Sequence, residues 1–436
     1  MKQIKCDVAI IGSGIGGTTA ASLLLKKGYS VQVVEKLPFY GGRCQTLDHH
    51  GFRLNTGAAM IGDSIHGALC REVGAELELR VPNPVFKFRI RGKDFTAPPK
   101  RMWQAIIGAA AKDDAEADRV FSAWMKAITW AEPSYSMSMD DWARQYTSNP
   151  LVLKLFHFLT CGIGVNSYEL PAGEFFRQIT QGATMTWAYP PRGCGQFSDA
   201  LVGAIKRMGG DVWTRCPAVK INVKNGAATG VVVQKDGEQI EIVAQTVISN
   251  MPPHRTVEMT GEECFSPGYL KDVNKILGSP MICFEFMSDK QLPSLEGSSC
   301  YCFTEYKRAF MILDFTPLCP EMSPKGKHLL EAACVPGSVY PPYDIKREVA
   351  LALGDLRQNM PDFDKNAKLI KIRVARGDWG VTGNIPGIGN LSIKTPVYGL
   401  YAVGDRSAPE GWWCSLAALK SGRLVAEDVA KRFKPA

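Results

Sequence analysis

The chain lacks any run close to the roughly twenty apolar residues that a membrane-spanning helix requires, so no span is expected. It also lacks a C-x-x-C pair. Its 13 cysteines are odd in number, and Cys300 and Cys302 form only a C-x-C pair, without the spacing of a zinc ligand set. A disulfide framework does not suit a chain this long, so reduced thiols in a cytoplasmic protein are expected. No basic stripe interleaved with aromatics occurs, which argues against nucleic acid as a partner. The formal charge of +8 and a pI near 8.8 are mildly basic, but the charges are scattered. Weak peripheral association with an anionic membrane surface is compatible with that balance. The first strand begins within a few residues of Met1, so no targeting segment is expected. At 45% hydrophobic and 22% charged residues, the composition is that of a globular protein with roughly two or three domains' worth of chain.

What is present is concentrated near the start. Val8-Ala9-Ile10-Ile11 reads as a buried parallel strand, and Gly12-Ser13-Gly14-Ile15-Gly16-Gly17 follows at once. Thr18 to Lys27 reads as a helix closed by Gly28. Val31 to Val34 returns as a second strand ending on Glu35, about eighteen residues past Gly17. Strand, glycine turn, helix, strand and terminal acid in this order make a dinucleotide site. Gly12 permits the turn, Gly14 lets backbone approach a pyrophosphate, and Gly17 lets helix and strand pack closely. The helix N-terminus supplies N–H groups and partial positive charge, and Glu35 suits a ribose hydroxyl. Lys36 leads into the Gly41-Gly42-Arg43 loop, where Arg43 is placed as a second clamp on the phosphates. Gly57-Ala58-Ala59-Met60 is a low-bulk segment against which a flat ring fits.

Further along, the alternation over Val85 to Arg91 predicts strands of a different sheet. Trp103 to Trp130, Asp140 to Phe158 and Glu174 to Thr180 read as helical, with Trp103, Trp124, Trp130 and Trp142 as core residues rather than the walls of an apolar channel. After a helix from Ser198 to Arg207 come strands at Val219–Val223, Gly230–Val233 and Thr246–Asn250, with hairpin turns at Asn225-Gly226 and Asp236-Gly237. Strands are expected near Met281–Phe286 and Phe310–Phe315, and a helix from Ile345 to Asn359. Gly399 to Asp405 reads as a strand entering a Gly-Asp turn, and Ser415 to Arg432 as a closely packed helix.

The fingerprint Gly12–Gly17, Glu35, Gly41-Gly42-Arg43, Pro191-Arg192-Gly193, Val247–Asn250 and Gly399–Asp405 together resemble the FAD-dependent phytoene desaturase and flavin amine oxidase superfamily. That resemblance implies an α/β protein, α+β overall: a Rossmann-type FAD-binding domain of GR2-like topology with an inserted mixed sheet-and-helix substrate domain. The FAD-binding domain would take 1–80, 189–255 and 369–436, and the substrate domain 81–188 and 256–368. It further implies that Gly12, Ser13, Gly14, Ile15, Gly16 and Gly17 face the pyrophosphate, with Lys36 beside Glu35 at the adenosine ribose and Gly42 beside Arg43 at the phosphates. Val219 would hold adenine through its backbone, and Gly57, Ala58, Ala59 and Met60 would lie near the isoalloxazine. Asp405, after Gly404, would accept from a ribityl hydroxyl, and Trp413 would lie at the N1/C2=O edge. No catalytic acid, base or metal ligand is assigned.

Amine oxidases resembling this chain carry a Lys on the strand that here reads Ser279 to Phe286, and none stands there. At their aromatic-cage position this chain has Cys414, beside Trp412 and Trp413. No Cys lies between Arg376 and Leu400, where monoamine-oxidase-like members bond the flavin, so FAD is expected to be non-covalent. The leading expectation is an FAD-dependent oxidoreductase that desaturates, saturates or isomerises carbon–carbon bonds of a small apolar, isoprenoid-like substrate, with its electron acceptor or donor unidentified. An amine or amino-acid oxidase is the alternative. A third reading is a non-catalytic binding protein like the Rab GDP-dissociation inhibitors, against which the intact glycines, Glu35 and Asp405 argue.

Overall fold

The structure is a computed structural model that describes residues 1–96, 98, 101–130, 135–182, 186–381 and 390–435. The chain opens with β1 (Lys2–Ile11), α1 (Ile15–Lys26) and β2 (Val31–Val34). A hairpin of β3 (Thr46–His49) and β4 (Phe52–Asn55) leads to β5 (Ile61–Gly62), a π-helical turn over Asp63–Gly67, and α2 (Ala68–Glu72). Another hairpin, β6 (Phe86–Ile90) with β7 (Lys93–Phe95), precedes five helices: α3 (Met102–Ala110), α4 (Asp114–Trp130), α5 (Met139–Arg144), α6 (Pro150–Cys161) and α7 (Ala172–Gly182). Then come β8 (Trp187–Ala188), α8 (Gly195–Arg207), β9 (Asp211–Trp213), β10 (Ala218–Lys224), β11 (Ala227–Lys235) and β12 (Glu238–Ser249). Two helices, α9 (Pro253–Thr260) and α10 (Pro267–Lys275), separate these from β13 (Met281–Ser288), β14 (Cys300–Phe303), β15 (Ala309–Asp314) and β16 (His328–Cys334). The chain ends through α11 (Ile345–Asn359), α12 (Phe363–Asn366), β17 (Lys368–Ala375), β18 (Leu400–Ala402) and α13 (Cys414–Arg432).

Two seven-stranded sheets organise this mixed α/β fold. The first runs β10-β11-β12-β1-β2-β9, with β18 also on β12. Its centre is parallel: β1 pairs with β12 and β2, β2 with β9, and β12 with β18. Val8, Ala9 and Ile10 are fully buried: Val8 and Ile10 face a core shared with α1, α8 and α13, and Ala9 faces one closed by β10, β11, α9 and α10. The hairpin turns carry left-handed φ at both residues, 52° and 77° at Asn225-Gly226 and 50° and 86° at Asp236-Gly237. That geometry matches the twist of the flanking strands. The second sheet runs β17-β13-β16-β15-β14-β6-β7 and is antiparallel except between β14 and β6. Among the described residues no helix is long and apolar enough to cross a membrane.

Three expectations need correction. The helical stretches 103–130 and 140–158 are each two helices. Pro150 cannot sit inside a helix, so the chain breaks before it and Asn149 caps α6 through a 3.0 Å bond from Leu151 N–H. Ala111 turns to extended backbone, and buried Glu116 accepts from Lys112 N–H, Thr147 and Asn149, tying both breaks together. Trp124 is buried as expected, whereas the side chain of Trp130 lies outside the described residues. The boundary at 256 is displaced, since Val257, Phe265 and Val273 of the α9–α10 region join the core under the first sheet. The boundary at 369 is displaced as well. β17 fills the open edge of β13, so 368–375 lie in the second sheet.

One charged cluster is buried in that second sheet. Glu285 on β13 and Glu331 on β16 are directly opposite each other, and Arg373 on β17 bonds both, reaching Glu331 at 3.1 Å. Burial pushes the Glu331 carboxyl up from 4.5 to about 7; Arg373 opposes the shift and the Glu285 charge adds to it. The folded protein therefore holds a proton that the unfolded chain releases. This contribution to stability is complete below pH 4.5 and is lost as pH rises through 7. Glu331→Gln should remove this decline, so that Tm of the variant changes less than wild type between those limits, a difference on the order of 1–3 kcal/mol. Parallel Tm–pH curves for the two proteins would contradict the assignment.

Candidate functional site

Three remote segments meet at the carboxyl end of β1. The turn from β1 into α1 is held by Gly12 N–H donating to the Val34 carbonyl at 2.8 Å. Glu35 is buried and accepts from Ser13 N–H at 2.9 Å, from Ser13 Oγ at 2.8 Å and from Leu37 N–H at 2.9 Å. Its carboxylate thus fixes the glycine turn against the end of β2. The second segment is Asn250, just past β12, whose N–H donates to the Ile11 carbonyl at 2.7 Å. With its amide oriented to satisfy its neighbours, Asn250 accepts from Gly14 N–H at 3.1 Å and donates to the Val403 carbonyl at 3.2 Å. The third is Val403-Gly404-Asp405 after β18, joined to β12 by Val403 N–H donating to Ser249 at 2.8 Å.

The glycines are there because backbone approaches backbone. A Cβ on Gly14 would stand 2.5 Å from the Asn250 amide, and one on Gly16 2.9 Å from Gly404 N. A Cβ on Gly17 would stand 2.2 Å from the Gly12 carbonyl, which fits the close helix–strand packing expected for it. For Gly14 the constraint shown is Asn250, on the side of the turn that faces β12. From α13, Gly422 lies so close to α1 that a Cβ would meet the Gly16 carbonyl at 2.5 Å and Thr19 Cβ at 2.9 Å.

This arrangement fits a dinucleotide. α1 has no side-chain cap and no acidic residue in its first turn, which leaves its positive end to an anion. Val219 lies at a bulge where the β10–β11 register shifts between Ala218 and Lys220, so its backbone is displaced from the ladder. The same stretch is tied to Glu35, whose carbonyl accepts from Cys216 N–H at 2.8 Å. Lys36 is exposed beside it.

Arg43 and Asp405, expected on phosphate and ribityl groups, are brought together by the fold. Arg43 Nη2 bonds the Asp405 carboxylate at 2.8 Å, and Nη1 bonds the Gly380 carbonyl at 2.6 Å. Gly42 is left-handed with open space where a Cβ would be. Gly57 presses on the Arg43 backbone, and Ala58 N–H donates to the Arg43 carbonyl at 3.0 Å. Ala58 packs on the core of the first sheet, while Ala59 and Met60 pack on that of the second, so this segment lies at their junction. Trp413 is the N-cap residue of α13 and is buried in the second core; its carbonyl accepts from Ala417 N–H at 3.0 Å. Cys414 has a φ of 47°, a strained value for a non-glycine residue, and burial pushes its thiol up to about 12.

Sequence reasoning passed over the polar roles of Asn250 and Arg406. Arg406 is buried, its guanidinium 3.3 Å from the Gly377 carbonyl, and burial holds its pKa below the usual value. The signal available for Asn250 was its place directly after a buried strand.

Comparison with known proteins agrees with this geometry. The family described as flavin containing amine oxidoreductase matches residues 15–430. A phytoene desaturase of Cercospora nicotianae is 24% identical over 349 residues, covering 69% of this chain and 54% of that protein. The chain thus spans about half the length of that relative. An uncharacterized protein of Methanocaldococcus jannaschii is 25% identical over 412 residues, 93% of this chain and 94% of its own. The crystal structure of an oxidoreductase from Methanosarcina mazei superposes with a TM-score of 0.84 at 24% identity, covering 97% of this chain and 100% of that one.

The α1–α13 contact generates a test. Gly422→Ala should destabilise the fold by about 1–3 kcal/mol through overpacking and lower the flavin content of the purified protein. Gly354→Ala, in the middle of α11 with open space around it, should be neutral or stabilising by about 0.5–1 kcal/mol. Equal Tm and equal flavin occupancy in the two variants would rule out the proposed close approach.

Proposed function

The chain belongs to the family of flavin-containing amine oxidoreductases and is an FAD-dependent oxidoreductase; from that premise we propose that it acts on carbon–carbon bonds of an apolar, isoprenoid-like molecule. Desaturation, saturation and isomerisation all fall within this reading. The finer fold assignment is part of the same proposal: a GR2-like flavoprotein in which the first sheet carries FAD and the second carries the substrate.

Bound FAD supplies the hydride acceptor or donor. The chain's own residues do the rest. Ser13, Gly14 and the uncapped start of α1 would hold the pyrophosphate, Glu35 and the Val219 bulge the adenosine end, and Arg43 with Asp405 the ribityl and phosphate groups. Met60 and Trp413 would flank the isoalloxazine and exclude water from it.

The observation that carries the substrate reading is the strand facing this end of the site. Ser279 to Phe286 contains no Lys, and the row that meets Gly164 begins with Met281, which packs against the second core, and the buried Cys283. An apolar row suits a hydrocarbon, whereas an amine oxidase of this family resemblance would present a cation there to hold water. The phytoene desaturase likeness points the same way. The family description keeps amine oxidation as the second reading.

Anaerobic mixing separates them. A polyprenoid should bleach the oxidised flavin, or reoxidise flavin that has been chemically reduced, while common amines and amino acids should do neither. Sustained hydrogen peroxide release with an amine would overturn the proposal. Acid precipitation should also free all the flavin into the supernatant, and yellow colour retained in the pellet would contradict non-covalent attachment.

A further inference from the structure

The Met281 row of β13 continues beyond Met281 and Cys283 to a charged residue. Side chains alternate along a strand, so Met281, Cys283 and Glu285 share one face. At the near end, the Met281 methyl lies 3.8 Å from the position a Cβ on Gly164 would take. Next to Gly164, the Ile163 carbonyl meets Cys414 Sγ at 3.8 Å, which places that end of the row at the Trp413-Cys414 segment. Glu285 is four residues further on, about 13 Å along the strand at the usual rise per residue. Beyond β16, the same face carries Met311 on β15 and Cys300 and Cys302 on β14, with Cys300 Sγ in contact with the other two sulfurs.

Glu285 is 1% exposed, and one of its oxygens is held by Arg373. The other, Oε2, is buried and has no hydrogen-bond partner. Buried acceptors without a donor are rare in folded proteins and call for an occupant. Arg373 already serves both Glu285 and Glu331. A second buried cation would have to be stripped of water to enter beside it. A neutral hydroxyl supplies one donor for the one vacant acceptor at a much smaller desolvation cost.

We propose that Glu285, held by Arg373, anchors a hydroxyl group at the far end of an elongated apolar substrate, about 13 Å along β13 from the Met281 end of the site. The inference rests on the substrate reading above and narrows it from hydrocarbon in general to a long-chain alcohol. Glu285 is thus a specificity residue that sets register along the strand.

The test measures binding alone, so it stays distinct from the redox assay. Oxidised holoprotein is titrated with primary alcohols of graded chain length and with methyl ethers of the same lengths, and Kd is read from quenching of tryptophan fluorescence. The ether cannot donate. At the optimal length the alcohol should bind at least about tenfold more tightly, the loss expected for one hydrogen bond to a charged group. Glu285→Gln, which replaces the vacant acceptor by a donor, should bring the ratio close to one while leaving flavin content in place, and should lower Tm because Arg373 loses a charged partner. If that variant fails to fold, the wild-type ratio still decides. Equal affinities, no binding of either series, or a primary alkylamine binding more tightly than the alcohol would overturn the proposal. Equal affinities would mean that water fills the vacancy.

Discussion

The close approach of three backbones at Gly16 is the constraint on which the rest of the structure depends. Gly16 lies against Gly404 on one side and Gly422 on the other, and Asn250 closes the third side. These contacts join residues from the beginning, middle and end of the chain. They hold the start of α1 where β1 ends, and so fix where its N–H groups point. Any Cβ in this knot would push α13 or the β18 turn outward, and with it the Trp413-Cys414 segment that begins α13. The start of α1 and the Trp413-Cys414 segment are therefore positioned by one packing event, not by separate loops.

The two sheets divide the physical work. In the first, parallel strands covered on both faces bury Val8, Ala9 and Ile10 completely, giving a rigid platform. The second carries charge where apolar residues would have sufficed. Two carboxylates around one guanidinium are no more stable there than well-packed hydrophobic residues would be. Their presence reads as a functional expense, because the cluster leaves one buried acceptor without a donor.

Legibility in the sequence followed the range of the interactions. The unit from Val8 to Glu35 is local, and its glycines, alternation and terminal acid all point one way, so its elements fall where the pattern places them. The Asn-Gly and Asp-Gly turns were readable for the same reason. β14, β16 and β17 were not. Cys300–Phe303 is buried throughout and too short to show a period, and β17, although it alternates over Ile370-Lys371-Ile372-Arg373-Val374, is an edge strand that leaves Leu369, Ile372 and Val374 exposed, so its pattern does not mark a core face. The break before Pro150 has a local signal in the proline itself, whereas the contacts of Glu116 that tie it to the break at Ala111 are tertiary and no local pattern encodes them.

The pairing of Arg43 with Asp405 shows where residue-by-residue reading stops. Each was assigned to a different part of the cofactor from its own motif, yet the two are 2.8 Å apart and share the neighbourhood of Gly380. Asp405 is nearly buried while Arg43 is over a third exposed. A buried carboxylate needs a donor at all times. Arg43 supplies one from a long, solvent-reaching arm; if a ribityl hydroxyl were to offer Asp405 another donor, that arm would be released toward a phosphate. The two assignments are thus compatible with the pair, provided they are made together: the ion pair is the partnership each residue keeps until the ligand provides both replacements. Coupling of that kind belongs to the three-dimensional arrangement of segments about 360 positions apart, and neither motif alone contains it.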